Sequence, residues 1–471
     1  MAALADGNAA ARAADGAAAR RHYAAALLEQ PGLAETVFGN LQRLLRAESA
    51  LERTPAPKEL LRVIVAGCEL GHNAAGRAAM LTELHTRCGH QVELVGPVVA
   101  PYRDLWLPLR ESLWRRRTPS LASFAEFLTA ILPLVAAERA DIVHFSKARG
   151  PNILIAALYK LFWNASTIID IDDEELGFVG ASEPLSVEGW RALPASMRSL
   201  SPLFGREWTR LAVGLVGAFD GVTVANPALQ ARYGGVVIPH ARDERTLVPG
   251  ADRRANQRSR WGIDPASRVV LFFGTPRAHK GLLEVARALA SLHDPHWQLV
   301  IVGDFEDAAL QRELAAFPAG LVRVLPSQPM SAIVDVLSIA DVCVLLQQGR
   351  GQAAQYQTPA KLTDALAMQV PVLVTETAGL REFIDAGIVR STTPETLAAD
   401  LTCWFDTSSG TAEREALTAR GRAFFEKQLS YAANVAPLAS AVCEASLAAR
   451  PHRDALEWPP VQVLYEVLRG G

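Results

Sequence analysis

Short runs of β-branched and other apolar residues recur along most of the chain, separated by stretches long enough for a helix. The runs lie at 61–67, 91–96, 141–145, 166–171 and 221–225, and again at 269–273, 298–302, 322–325, 342–346 and 372–375. Strands that alternate with helices are typical of a parallel sheet covered on both faces. A polar segment at 242–260 separates the two sets. We therefore predict an α/β protein with two doubly wound Rossmann-like domains that face a cleft.

Both ends of the chain have a helical pattern. Residues 1 to about 55 are rich in alanine and contain no strand-like run. The pattern from Gly16 to Leu41 resembles one tetratricopeptide-type helical hairpin, which cannot bury its own apolar face and must pack on something else. A generic helical cap is an equally good interpretation. Pro55 and Pro57 mark the hinge into the next region.

The length of 471 residues is too great for a single core, which favours two domains plus an appendage. The predicted division is a helical extension at 1–58, a first Rossmann-like domain at 59–245 and a second at 246–440. Helices at about 411–449 and 461–469 close the molecule, and we expect residues 441–471 to pack back on the first domain.

Charge and cysteine content exclude several classes of function. The net charge of -3 does not favour nucleic-acid binding, which usually requires a basic face. The five cysteines are scattered without CxxC spacing, so neither a disulfide framework nor a zinc site is indicated and a reducing compartment is expected. There is no pattern of a secretory signal, and the apolar segment 153–163 is shorter than the about 20 residues that span a bilayer. We expect a cytoplasmic protein.

The segment 103–117 combines two tryptophans with five arginines. Such a mixture is typical of segments that lie on anionic lipid, so a peripheral contact with the inner face of a membrane is one interpretation. A charged solvent face, with Pro108 interrupting the helix, is the other.

Two cations follow the first strand of the second half. That strand ends at Gly274, and Arg277 and Lys280 lie where the next helix begins. Ligands of open α/β sheets bind at the carboxyl ends of strands, where a helix N-terminus offers free N–H groups. Arg277 and Lys280 are therefore candidates for binding phosphate oxygens, unless they are solvated loop cations.

A second candidate site lies at the helix that begins near Thr358. Asp364 falls one to two turns into this helix, and Lys361 lies near its start. A carboxylate in this position can accept hydrogen bonds from both hydroxyls of a ribose. The alternative is a surface helix with an incidental Lys-Asp pair. With the two cations, this pattern predicts a ligand that carries a diphosphate and vicinal hydroxyls.

The first half offers less specific candidates. Gly71 and Gly76 lie in the loop after the first strand and would let the backbone approach a ligand closely. Asp172 and Asp173 follow another strand and could serve as an acid or base, bind a divalent cation, or cap the next helix. His144 is either a cleft residue or a hydrogen-bonded core histidine.

Taken together, these residues resemble the retaining glycosyltransferases of family four, which have the two-domain GT-B fold, over roughly residues 60–440. The sequence Gly-Thr-Pro-Arg277-Ala-His-Lys280-Gly is similar to the Arg/Lys pair that holds the donor diphosphate in that family. Ile-Val-Gly303-Asp is similar to its next strand end. Pro-Ala-Lys-Leu-Thr-Asp364 is similar to the start of the helix whose acid binds the donor ribose.

The resemblance implies a transferase that moves a sugar from a nucleotide sugar to a saccharide or lipid-linked acceptor, with retention at the anomeric carbon. If Arg277 and Lys280 neutralise the phosphates, neither a metal nor another cofactor is required; Asp172 and Asp173 are the one place where a metal could still bind. A role in polysaccharide biosynthesis follows from the habits of the family. The second domain would hold the donor and the first would face the acceptor. The implied catalytic residues are Arg277, Lys280 and Asp172; the donor-binding ones are Gly71, Gly76, Gly274, Gly303, Thr358, Lys361 and Asp364; His144 and Asp173 are on the acceptor side.

Two positions depart from the family pattern. Tyr356 stands eight residues before Asp364, where the family often has a second acid, and Asp172 takes the place of a frequent cleft histidine. The first departure favours an alternative function, a catalytically degenerate scaffold that recruits partners through its N-terminal helices. A nicotinamide dehydrogenase is a weaker alternative, because neither half contains the GxGxxG turn followed by an acid about 20 residues later.

Overall fold

The fold is described from a computed structural model, which describes residues 1–51, 60–347, 351–449 and 452–470. Two parallel sheets, each covered by helices on both faces, form the framework of the molecule. The predicted α/β class with two doubly wound domains and an N-terminal helical extension is confirmed. The expected hinge prolines Pro55 and Pro57 lie outside the described residues.

The first domain contains a seven-stranded sheet with the strand order β4-β2-β1-β6-β7-β8-β9. Its strands, with the separate pair β3 and β5, are β1 (Arg62–Gly67), β2 (Gln91–Val95), β3 (Val98–Val99), β4 (Arg116–Arg117), β5 (Ser120–Leu121), β6 (Ile142–Ser146), β7 (Ser166–Ile171), β8 (Gly221–Val224) and β9 (Val236–Val237). The pairing is parallel, with Val63 opposite both Val92 and Ile142. The central strands β6 and β7 are buried along their whole length, as their apolar runs predict.

The α-helices of the first domain cover both faces of this sheet. They are Ala75–Arg87, Phe127–Ala137, Gly150–Trp163, Glu175–Phe178, Val187–Arg191, Ala195–Arg198, Arg206–Gly214 and Pro227–Tyr233. The apolar helix Gly150–Trp163 is buried on every side except at its last residue, because it lies between the sheet and the N-terminal extension. Its character is therefore that of a core helix.

The second domain contains a six-stranded parallel sheet with the order β12-β11-β10-β13-β14-β15. Its strands are β10 (Arg268–Phe273), β11 (Trp297–Val302), β12 (Val322–Leu325), β13 (Val342–Leu345), β14 (Val372–Val374) and β15 (Arg390–Ser391). The chain leaves β10 to one side and returns on the other at β13. Ligands of such sheets bind at this reversal point, outside the carboxyl ends of the strands.

The helices of the second domain and the C-terminal region follow the expected pattern. They are Ala251–Arg260, Leu282–Ser291, Ala308–Ala315, Ile333–Ser338, Gln352–Tyr356, Ala360–Ala367, Arg381–Asp385, Leu397–Asp406, Ser408–Phe424, Tyr431–Ala448 and Pro459–Gly470. The helix Tyr431–Ala448 crosses the predicted boundary at residue 440 and packs against β8 and the helix Ala75–Arg87 of the first domain. The predicted domain boundaries themselves stay predictions.

Three helices, Ala2–Arg12, Gly16–Glu29 and Ala34–Leu51, form the N-terminal extension. They pack on the first domain, as their unpartnered apolar face requires. Arg20 fixes the contact: its Nε donates to the Phe162 carbonyl at 2.6 Å, its guanidinium pairs with Glu48, and it lies 4.0 Å from the centre of the Trp163 ring. The assignment of this region as a tetratricopeptide-type unit stays a prediction.

The segment 103–117 contains a 3-10 turn at Leu107–Leu109 and strand β4, and within it the structure shows no α-helix. Pro108 lies in that turn, and Arg117 donates to Glu93 at 2.9 Å. An interfacial helix is therefore not what this segment forms, and the predicted membrane contact stays a prediction. Among the described helices, none has the length and apolar character needed to cross a bilayer.

Candidate active site

A cavity of about 530 Å³ lies between the carboxyl ends of the two sheets. Residues of both domains line it. The predicted site residues found there are Gly76, Asp172, Asp173, Gly274, Arg277, Lys280, Thr358, Lys361 and Asp364. Most of the residues that the sequence singles out, although up to 288 positions apart, therefore share one cleft.

The loop after β10 presents two cations to this cavity. Gly274 has φ +96°, a left-handed conformation that favours glycine, and it turns the chain away from the strand end. The Arg277 side chain is 39 % exposed. Its Nη2 lies 3.5 Å from Glu306 of the same domain and 3.5 Å from Asn73 of the first domain. Lys280 donates from Nζ to Oε1 of Gln357 at 2.7 Å, and burial lowers the pKa of its ammonium.

Lys361 adds a third cation on the same side. Its ammonium lies 3.7 Å from the centre of the Phe272 ring, and within the described residues it forms no ion pair with a carboxylate. Burial, together with repulsion from Lys280, holds the pKa of Lys361 well below its ordinary value. Cations that repel one another in a partly enclosed site favour an anionic ligand, because the anion removes both the repulsion and the unpaired charge.

Asp364 lies on the helix Ala360–Ala367 and is paired with a residue that sequence reasoning missed. Arg242 donates from Nε to Oδ1 of Asp364 at 2.6 Å and approaches Oδ2 with Nη2 at 3.4 Å. Burial raises the pKa of Asp364, although Arg242 acts in the opposite direction. The Arg242 ion pair therefore orients the carboxylate at the cavity wall. The two residues are 122 positions apart, and no local pattern connects them.

The acidic cluster after β7 encloses Lys147, another residue that sequence reasoning missed. Its ammonium lies 2.7 Å from Asp172, 2.9 Å from Asp173 and 3.4 Å from Glu175. Carboxylate oxygens of these three acids lie within 4.8 Å of one another. Asp172 and Asp173 were predicted to act as an acid or base, to bind a divalent cation or to cap the next helix. The residue that caps this helix is Glu174, whose carboxylate accepts a hydrogen bond from the backbone N–H of Leu176. The ammonium supplies the positive charge that a divalent cation would bring.

The pKa values of the two neighbouring acids are shifted in opposite directions. Burial raises the pKa of Asp172 to about 7, and Lys147 only partly opposes this effect. Burial acts in the same direction on Asp173, but Lys147 and a hydrogen bond from Gln357 outweigh it and lower the pKa of Asp173 to about 2. Two carboxyl groups with separated pKa values can take different roles in acid-base chemistry.

Three predicted site residues lie outside the cavity. His144 is in the core of the first domain, hydrogen-bonded to His85 at 2.9 Å and to Thr223 at 2.9 Å. Burial lowers the pKa of His144 to about 4. The acceptor-side role predicted for it is wrong, because its strand is buried on both faces and the side chain points towards a covering helix.

Gly71 and Gly303 are explained by packing and not by a bound ligand. A Cβ at Gly71 would lie 2.4 Å from the Tyr102 side chain, and one at Gly303 would lie 2.2 Å from the Gly274 carbonyl. Neither residue lines the cavity. Gly303 supports the site indirectly, because it lets the ends of β10 and β11 approach each other.

Residues 356–358 connect the two domains. Asn226 of the first domain donates to the Tyr356 carbonyl at 2.8 Å and to the Thr358 hydroxyl at 3.0 Å. The Gln357 amide nitrogen donates to Asp173 at 2.7 Å while its amide oxygen accepts from Lys280. Thr358, which was predicted to bind the donor, lines the cavity. Its hydroxyl group already donates a hydrogen bond to the Gly379 carbonyl at 2.6 Å.

Two doubly wound domains whose strand ends face a common cleft define the GT-B fold, and this chain has that fold. The segment 267–406, which comprises most of the second domain, matches the family model described as glycosyl transferases group 1. A comparison with curated protein sequences gives no significant match.

Several solved structures share this fold. HepE from Anabaena, solved with UDP and glucose, is 15 % identical with a TM-score of 0.61, covering 81 % of this chain and 99 % of its own. Sucrose-phosphate synthase from Thermosynechococcus elongatus is 15 % identical with a TM-score of 0.58, and the match covers 81 % of this chain and 98 % of the synthase chain. A glycosyltransferase from Rickettsia africae is 15 % identical with a TM-score of 0.57, and the match covers 82 % of this chain and 98 % of the other. At this identity the likeness concerns the fold.

Proposed function

We propose that this protein is a glycosyltransferase that uses a nucleotide-sugar donor. The observation that carries the proposal is that Arg277, Lys280 and Lys361 line the same cavity as the Asp364–Arg242 pair. Phosphate groups fit the three cations, and the ribose hydroxyls fit the carboxylate. The group 1 match over the second domain, and the UDP and glucose bound by HepE, support the same type of donor.

The cations act on the leaving group. When the bond between the anomeric carbon and the phosphate oxygen breaks, negative charge grows on the departing diphosphate. Fixed cations at that position stabilise the transition state more than the ground state, which is the condition for a higher rate. Three cations supply the charge that a divalent metal supplies in other transferases, so we propose a reaction without a metal or other cofactor.

The acceptor lies on the side of the first domain. Its hydroxyl oxygen forms the new bond to the anomeric carbon, and its proton passes to Asp172. A pKa of about 7 suits a group that must accept a proton near neutral pH. The two domains enclose the reacting groups and exclude water, which would otherwise act as the acceptor. Retention of anomeric configuration, and a saccharide or lipid-linked acceptor, rest on the resemblance to family four.

The test is turnover of a panel of nucleotide sugars, followed as transfer to saccharide acceptors and as slow donor hydrolysis without one. Wild-type protein is expected to consume at least one donor. Lys280→Ala should lower kcat/KM by about 10- to 100-fold through loss of a charge-assisted contact. Lys427, which is exposed and does not line the cavity, provides the matched control Lys427→Ala. Unchanged kcat/KM in Lys280→Ala would remove the phosphate role.

The scaffold alternative is decided by calorimetry. A catalytically degenerate body is expected to bind none of the common nucleoside diphosphates, whereas the proposed enzyme binds at least one. Anomeric configuration is read from the proton couplings of the product by NMR, and an inverted product would contradict the retaining assignment.

A further inference from the structure

Gln357 and Tyr356 are neighbours in the chain, but their side chains lie in different surroundings. The Tyr356 ring packs against the core of the first domain, with the Arg232 guanidinium 5.5 Å from its centre, and Tyr356 does not line the cavity. The hydrogen bonds from Asn226 to the Tyr356 carbonyl and to the Thr358 hydroxyl hold the residues on both sides of Gln357. The Gln357 side chain is thereby directed into the cavity.

The Gln357 amide spans the cleft at the point where the two halves of the site meet. Its oxygen accepts from Lys280 of the second domain, and its nitrogen donates to Asp173 of the first, each at 2.7 Å. Both bonds are charge-assisted and therefore hold the amide in one orientation. Gln357 thus lies between a cation proposed to bind phosphate and an acid on the acceptor side.

From this placement we infer that Gln357 contacts the transferred sugar and selects the donor by the arrangement of its hydroxyls. The inference rests on the proposed function. A donor whose diphosphate reaches Lys280 has its sugar bonded directly to that diphosphate, so the sugar occupies the space between Lys280 and Asp173. The phosphate takes the place of the amide oxygen on Lys280.

Once released, the amide offers one acceptor and one donor to sugar hydroxyls, and Asp173 offers a further acceptor. A site built to hydrogen-bond hydroxyls discriminates strongly against a sugar that lacks one or presents it differently, because the polar groups are then left unpaired. The selectivity for the sugar and the selectivity for the nucleotide therefore reside in different residues.

The test compares wild-type protein with Gln357→Met, which keeps the side-chain length and removes both hydrogen-bonding groups. The measurements are kcat/KM for pairs of nucleotide sugars that differ in one hydroxyl, and Kd for UDP, ADP and GDP by calorimetry. Gln357→Met should lower kcat/KM for the preferred donor by about 10- to 100-fold. The kcat/KM values of the two donors in each pair should then become nearly equal. Its Kd for the diphosphate should be unchanged or tighter, since the amide no longer competes for Lys280.

Exposed Gln355, two residues earlier, provides the control Gln355→Met, expected to behave as wild type. Gln357→Asn keeps the amide one methylene shorter and replaces the methionine variant if that variant does not fold; the same loss of selectivity is expected. Intact diphosphate binding with unchanged selectivity between paired donors would overturn this inference alone. Failure of wild-type protein to bind any of the three diphosphates would overturn the proposed function, and this inference with it.

Discussion

Replacement of Lys361 by methionine separates the cost of this residue to the fold from its benefit to binding. Methionine has nearly the same length and shape as the lysine stem but carries no charge. The Lys361 ammonium contacts the face of Phe272 at 3.7 Å, and burial together with Lys280 lowers its pKa well below the ordinary value. The empty cleft therefore disfavours the charge, and a bound diphosphate favours it.

The two effects have opposite signs. A charge-assisted hydrogen bond contributes about 1.5–3 kcal/mol, so its loss should weaken nucleoside-diphosphate binding by roughly 10- to 150-fold. For the free protein, the variant loses a cation–π contact worth about 0.5–2 kcal/mol and no longer encloses an unpaired ammonium, which costs a similar amount or more. Its free energy of unfolding should be equal to that of the wild type or higher by up to about 2 kcal/mol.

The assay combines calorimetric titration of nucleoside diphosphates with urea unfolding of the free protein. Lys427→Met is the matched control, and a nucleoside without phosphates is the control ligand, expected to bind both proteins alike. Binding should also take up protons, because the diphosphate raises the pKa of Lys361 back towards its ordinary value, so affinity falls as the pH rises through the lowered pKa. Wild-type affinity in Lys361→Met, or a parallel loss of affinity and stability, would refute the reasoning.

Three further outcomes follow from the same geometry. Asp364→Asn removes a charged acceptor for the ribose and should weaken nucleoside-diphosphate binding about tenfold, with the affinity for pyrophosphate unchanged; equal losses for both ligands would contradict the ribose contact. Because burial lowers the pKa of His144 to about 4 from 6.5, the contribution of His144 to stability should fall by about 2 kcal/mol between pH 7 and pH 5. The difference in stability between wild-type protein and His144→Gln, measured by urea unfolding, should change by this amount; a difference that does not depend on pH would contradict it. Donor turnover should persist after treatment with a chelator, and its loss with recovery on adding Mg²⁺ would contradict a metal-independent reaction.

The architecture could be predicted from the sequence because it follows from local patterns. Each long strand of both sheets begins and ends within two residues of an apolar run, and the helices between them have the expected lengths. The same patterns place Arg277, Lys280 and Asp364 at carboxyl ends of strands, so their convergence on one cavity follows from the topology.

The partners of these residues could not be predicted, because they depend on contacts between distant segments. Arg242 and Asp364 are 122 positions apart in the sequence, and Lys147 and Asp172 are 25 positions apart. Lys147 also has a φ of +78°, a backbone conformation that no residue pattern indicates. The side of the sheet to which His144 points was also undetermined, since a strand buried on both faces has no polar alternation to show it. Segment 103–117 has the amino-acid composition of an interfacial helix, but it folds as a 3-10 turn and a short strand.

The decisive experiment is a crystal structure of the protein with a bound nucleoside diphosphate. We expect phosphate oxygens within about 2.7–2.9 Å of nitrogens on both Arg277 and Lys280, with the ribose hydroxyls on Asp364 and the Gln357 oxygen displaced from Lys280. A nucleotide bound elsewhere, or one in this cleft whose phosphates contact neither cation, would contradict it.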